Sequence, residues 1–60
     1  MLNYEEQFGC IDCVRLDGDR VAHLYFSDLG KYLIHDLNYN TTSDELRQVA
    51  DKLDELNGAK

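Results

Sequence analysis

The sequence predicts an α+β fold in which a three-stranded antiparallel β-meander packs on one C-terminal α-helix, in the order β-β-β-α. Two observations carry this prediction. Asp17-Gly18 separates two runs rich in Ile, Val, Leu, Tyr and Phe, which is a strong signal for a β-hairpin. The last third of the chain has apolar residues at helical spacing behind a helix-capping motif. With 60 residues, the chain is expected to form one small domain over 1–60.

The predicted strands are separated by two turns with glycine at the position where a turn needs it. After the Asp17-Gly18 turn, a second turn ends at Gly30, which can adopt a positive φ. The meander is therefore predicted over 9–37. For 1–8 the sequence is compatible with a turn, a short helix or a frayed start. The three strands are expected over 9–16, 20–26 and 31–37.

The helix is predicted over 42–57. Thr42 and Glu45 form a T-x-x-E capping box, and Asp44 lies in the first turn, where the helix dipole favours negative charge. Gly58 is placed to terminate the helix. One apolar stripe follows the 3.6-residue period and consists of Leu46, Val49, Ala50, Leu53 and Leu56.

Loop length decides which strand residues share a face of the sheet. If both hairpin loops contain an even number of residues, one face is almost wholly apolar and packs on the helix. An odd loop would exchange the faces of a strand. The even-loop register predicts a core face of Ile11, Cys13, Ala22, Leu24, Phe26, Leu33 and Leu37, with Arg15 and His35 at its margins.

The opposite face is predicted to be an interaction surface. One helix can cover only one side of a sheet, and an uncovered patch of large apolar or amphipathic side chains usually marks a binding site. The alternative is that 1–8 folds back over this face through Leu2, Tyr4 and Phe8. The partner-binding residues predicted from this register are Val14, Val21, His23, Tyr25, Tyr32 and Ile34.

Charge and hydropathy exclude several classes of function. Twelve Asp and Glu against six Lys and Arg give a net charge of −6, and such a surface repels nucleic-acid phosphates. No apolar run approaches the length that crosses a bilayer, and the first residues lack the pattern of a signal peptide. We therefore expect a cytoplasmic protein that binds neither membranes nor nucleic acid directly.

A zinc-stabilised mini-domain is an alternative that uses Cys10, Cys13, His23 and His35, since four such ligands suit tetrahedral zinc. Strand residues three apart point to opposite faces, however, and this predicts that the two sulfurs lie apart. The register also places the two histidines on opposite faces. We therefore expect no metal and no cofactor, with the cysteines acting as small apolar residues.

Two further functions are compatible with parts of the sequence. The acidic helix face, with Asp44, Asp51, Asp54 and Glu55, would let the chain imitate nucleic acid and inhibit a basic enzyme. His23 and Asp12 are predicted neighbours across the first hairpin, as a base and its orienting acid are, but a chain this small has little room for a water-excluding pocket. No enzymatic activity is expected.

Together these features predict a non-catalytic, acidic protein-interaction domain. It is expected to form a homodimer, to bind a protein partner through the uncovered sheet face, or to do both. Accessory proteins of phages and other mobile elements, which act on a host protein, are a setting that suits this composition.

Overall fold

The computed structural model describes residues 1–58 as one antiparallel sheet and a C-terminal helix. Each strand pairs with the next strand in the chain, and one helix follows the sheet, which confirms the α+β arrangement. The sheet has four strands instead of three, because 3–7 adds a strand that has Tyr4 as its only large apolar residue. The elements are β1 (Asn3–Gln7), β2 (Cys10–Val14), β3 (Arg20–Phe26), β4 (Tyr32–Leu37) and α1 (Ser43–Leu56).

A two-residue turn at Phe8-Gly9 joins β1 to β2. Both residues have positive φ, +44° and +82°, as a type I′ turn requires. Among residues 1–58, Phe8 is the one non-glycine residue with a positive φ. This conformation costs an L-residue about 1–2 kcal/mol. The phenyl ring is fully exposed, so packing within the chain does not offset that cost.

The β2–β3 hairpin has a three-residue loop. The Arg15 N–H donates to the Asp19 carbonyl at 2.8 Å, and the Gly18 N–H donates to the Arg15 carbonyl at 2.9 Å. This odd loop shifts the register by one residue, and an extra residue at Val21, in a bulge directly after the turn, restores it. The predicted faces therefore hold beyond the bulge, where Ile11 lies opposite Leu24 and Cys13 opposite Ala22.

The β3–β4 hairpin has the same kind of loop, but its bulge lies farther from the turn. The Ser27 N–H donates to the Lys31 carbonyl at 2.9 Å, and Gly30 has a φ of +81°. The extra residue that restores the register is His35. Residues 32–34, between the turn and this bulge, therefore lie on the side of the sheet opposite to the one predicted with even loops. Consequently Tyr32 and Ile34 lie on the helix side of the sheet, and Leu33 and His35 lie on the other; their predicted placements were wrong.

The core forms between the helix side of the sheet and α1. Val21 is only 1% exposed and belongs to the core, which corrects its prediction as a partner-binding residue. Leu2 is also buried there, so the start of the chain builds the helix side and does not cover the opposite face. Phe26 and Leu37 lie on the predicted side but are half exposed at its rim. The core cluster comprises Leu2, Ile11, Cys13, Val21, Ala22, Leu24 and Val49.

Both ends of α1 are capped as the sequence predicts. The Glu45 N–H donates to Thr42 Oγ1 at 3.2 Å, and the Thr42 N–H donates to Glu45 Oε1 at 3.0 Å, which completes the capping box. At the other end, the Asn57 N–H donates to the Leu53 carbonyl, and Gly58 follows with a φ of +71°. Over residues 1–58, no helix is both long and apolar enough to span a bilayer.

An ion pair joins the end of β2 to the first turn of α1. The Arg15 guanidinium donates from Nε to Glu45 Oε2 at 2.7 Å and from Nη2 to Glu45 Oε1 at 2.9 Å. The Nη2 group also donates to the Asn40 carbonyl at 3.2 Å. The hydrogen bond from Arg15, and after it the one from the Thr42 backbone, lowers the pKa of Glu45 from 4.5 to about 2.

Leu24→Ala should destabilise the fold strongly. The Leu24 side chain is fully buried, so truncation leaves a cavity and lowers the free energy of unfolding by about 2–5 kcal/mol. Denaturant titration followed by circular dichroism measures this change. Leu16→Ala is the matched control, because Leu16 is 78% exposed and its truncation should stay within about 0.5 kcal/mol. Equal losses in the two variants would contradict the described core.

The stability that Glu45 contributes should depend on pH. Because its pKa is lowered in the folded state, the contribution is complete above pH 4.5 and is lost as the pH falls towards 2. The stability difference between the parent and Glu45→Gln should therefore shrink over that interval in denaturant titrations. The same substitution in an Arg15→Met background is the control and should show little dependence on pH. A difference that stays constant with pH would contradict the ion pair.

Candidate functional site

The sheet face turned away from α1 is the candidate site, and we call it the open face. Strand pairing places His23 opposite Asp12, and Tyr25 opposite both Cys10 and Leu33, on this side. Within residues 1–58, no helix or strand packs over it. Its residues are Asn3, Glu5, Gln7, Cys10, Asp12, Val14, Arg20, His23, Tyr25, Leu33, His35 and Asp36.

The predicted partner-binding residues divide between the two sides of the sheet. His23 and Tyr25 lie on the open face, as expected. Val14 also lies there, but it is only 9% exposed and offers little surface. The face is therefore less apolar than the sequence predicts. Leu33 and His35 belong to it and were missed, because their position depends on where the β4 bulge falls.

Polar and charged side chains form a connected network on the open face. His23 Nδ1 lies 2.5 Å from Asp12 Oδ1, and Arg20 bridges Asp12 Oδ1 at 3.5 Å and Asp36 Oδ2 at 3.2 Å. The network spans β2, β3 and β4. Each of these side chains is thus held by a neighbour on an adjacent strand, and the face has a defined geometry in the free protein.

Three aromatic rings lie next to this network on the open face. The His35 ring lies 5.7 Å from the His23 ring and 5.7 Å from the Tyr25 ring, and both contacts are edge-to-face. This is a favoured geometry for aromatic pairs. The bulge makes this possible, since it turns His35 to the same side as the other two rings. We call His23, His35 and Tyr25 the ring strip.

The His23–Asp12 pair confirms the predicted cross-strand neighbours, and such a pair can serve as a base and its orienting acid. It lies on an open sheet surface. Two cavities, of about 310 and 230 Å³, lie instead beside α1, and Met1 and Gln48 line both of them. Neither cavity is lined by the pair.

The two cysteines lie on opposite sides of the sheet, which confirms the geometric expectation for a strand. Cys13 is fully buried on the helix side, and burial raises the pKa of its thiol to about 11. Cys10 is half buried on the open face. His23 and His35 share one face, contrary to prediction. Among the described residues, no group of three or more potential ligands is arranged to hold a metal ion.

The acidic helix residues are exposed, and basic residues lie between them. Arg47 Nη1 contacts Asp44 Oδ1 at 2.7 Å, and Lys52 Nζ lies 3.7 Å from Glu55 Oε2. These contacts neutralise part of the negative charge. Imitation of nucleic acid by the helix, which would also use the exposed Asp51 and Asp54, stays a prediction.

Comparison of the chain with family models, with curated proteins and with solved structures gives no significant match. The open face, with its ring strip and its ion pairs, brings together contacts from β2, β3 and β4 on a surface that no described helix or strand covers.

The two cysteines should differ sharply in reactivity. A thiol-alkylating reagent should modify Cys10 in the folded protein and modify Cys13 only after denaturation, because Cys13 is buried and its raised pKa disfavours the thiolate. Peptide mass spectrometry before and after denaturation measures this. The control Cys10→Ser should leave the folded protein unlabelled. Rapid labelling of that variant under native conditions would contradict the described packing.

Proposed function

We propose that this chain is a non-catalytic protein-interaction domain that binds a foreign protein through its open face. The observation that carries the proposal is the ring strip of His23, His35 and Tyr25, which lies on a face that no described element covers. Tyr and Arg are the residue types that supply much of the binding energy at protein interfaces, and Arg20 lies beside the strip.

The open face is organised before any partner arrives. Arg20 is tied to both Asp12 and Asp36, and His35 is in contact with two rings. Side chains that are already held lose less conformational entropy when they are buried in an interface. This supports a role in recognition, since more of the contact energy is then available for binding.

Charge supports a partner with basic side chains. The chain carries a net charge of −6, and the open face contributes Glu5, Asp12 and Asp36 against Arg20 alone. A field of one sign accelerates encounter with a partner of the opposite sign, and salt screens it. The association rate should therefore fall as ionic strength rises.

We place the domain in the cytoplasm as part of this proposal. Cys10 and Cys13 are both free thiols, and they lie on opposite sides of the sheet, so the fold gains no disulfide from them. Free thiols are the normal state in a reducing compartment. A phage or mobile-element protein that binds one host protein is the biological setting we favour.

Site-specific photo-cross-linking in the native cell tests the proposal. A photoreactive phenylalanine analogue in place of Tyr25 should capture one protein with a basic surface, which mass spectrometry identifies. The same analogue at Leu16, an exposed position beyond the open face, should not capture it. Equal capture from both positions would overturn the open face as the binding surface.

Tyr25→Ala then measures how much the ring strip contributes to the free energy of binding. Loss of a central aromatic anchor should weaken binding of the captured protein at least about tenfold, as measured by calorimetry with purified components. Leu16→Ala, at an exposed apolar position beyond the open face, is the matched control and should bind like the parent. Circular dichroism confirms that both variants fold. Parental affinity in a folded Tyr25→Ala protein would contradict the proposal.

A further inference from the structure

One end of the sheet carries exposed apolar side chains from two adjacent turns. Phe8 lies in the β1–β2 turn and is fully exposed, and Leu29 lies in the β3–β4 loop and is 74% exposed. Phe26, at the end of β3, is 55% exposed. The Phe26 N–H donates to the Gly9 carbonyl at 2.9 Å, which brings the two turns side by side. We call these two turns, 8–9 and 27–31, together with Phe26, the hairpin end.

Phe8 is an unusual residue for its position. The first residue of a type I′ turn has positive φ, which Asn and Gly adopt readily and a bulky side chain does not. Its ring is fully exposed, so the folded chain gains no packing that would offset the strained backbone. A strained and fully exposed aromatic residue fits a side chain that is buried in an assembly.

The charges in the turns of the hairpin end favour contact with a second copy of the chain. The chain carries a net charge of −6, and most approaches of one copy to another are therefore repulsive. The turns of the hairpin end contain one acid, Asp28, and one base, Lys31, both exposed. The two turns therefore carry no net charge, and a two-fold axis would bring the Asp28 of each copy towards the Lys31 of the other.

We propose that the hairpin end is the contact face of a symmetric homodimer, with Phe8 as its anchor against Phe26 and Leu29 of the second copy. The contact removes exposed apolar surface from water, which is the main driving force for such association. It does not use the ring strip. The dimer would therefore present two open faces to foreign partners, and this inference stands independently of the proposed function.

Sedimentation equilibrium of the full chain over a range of concentrations tests the dimer. The parent should associate reversibly, and Phe8→Asn should weaken association at least tenfold. At concentrations where both proteins are monomeric, the denaturation midpoint of Phe8→Asn should be higher than that of the parent, because Asn tolerates the positive φ. This combination of a more stable monomer and a weaker dimer is not expected from a residue that only supports the fold.

Leu16→Asn is the matched control, since Leu16 is an exposed apolar residue of the turn at the opposite end of the sheet. It should associate like the parent. Tyr25→Ala should also remain dimeric, and this separates failure of the dimer from failure of the open-face proposal. A parent that is monomeric at all concentrations, a Phe8→Asn protein that associates like the parent, or one with a lower midpoint would each overturn the inference.

Discussion

The bidentate ion pair between Arg15 and Glu45 constrains how the sheet and the helix meet. It joins the end of β2 to the first turn of α1, and the same Glu45 carboxylate completes the capping box with Thr42. Arg15 also holds Asn40 in the connecting loop. These directional contacts orient the first turn of α1 against the sheet, and two hydrogen bonds between Asn57 and Tyr32 hold its other end.

The placement of α1 makes the two faces of the sheet physically different. The centre of the helix side is buried and apolar, and burial there raises the pKa of the Cys13 thiol. The open face remains in water and carries ion pairs and aromatic contacts that suit recognition. The hairpin end lies at one end of the sheet, and its turns belong to neither face. Its exposed Phe8 is the feature that the folded monomer explains least, because the chain bears the cost of its backbone conformation without a compensating contact.

The bulges decide which residues the open face presents. Both three-residue loops shift the register, and each shift is cancelled by one extra residue in a strand. At Val21 the correction comes directly after the turn, so the predicted faces hold from Ala22 onwards and only the start of the strand differs. At His35 it comes late, so Tyr32 and Ile34 turn to the helix side and His35 joins His23 and Tyr25. The position of a single extra residue thus assembles the ring strip.

The sequence by itself determined the features that depend on local interactions. These are the hairpins whose turns contain Gly18 and Gly30, the strand Arg20–Phe26, and the helix with both of its caps. Each of them rests on residues a few positions apart. Only the tertiary structure decided the features that depend on distant partners. The strand β1 has weak apolar alternation and exists through pairing with β2, and the bulge positions follow from packing against the core and not from a local motif. The open face could therefore be located from the sequence, but half of its residues could be identified only after the strands had found their partners.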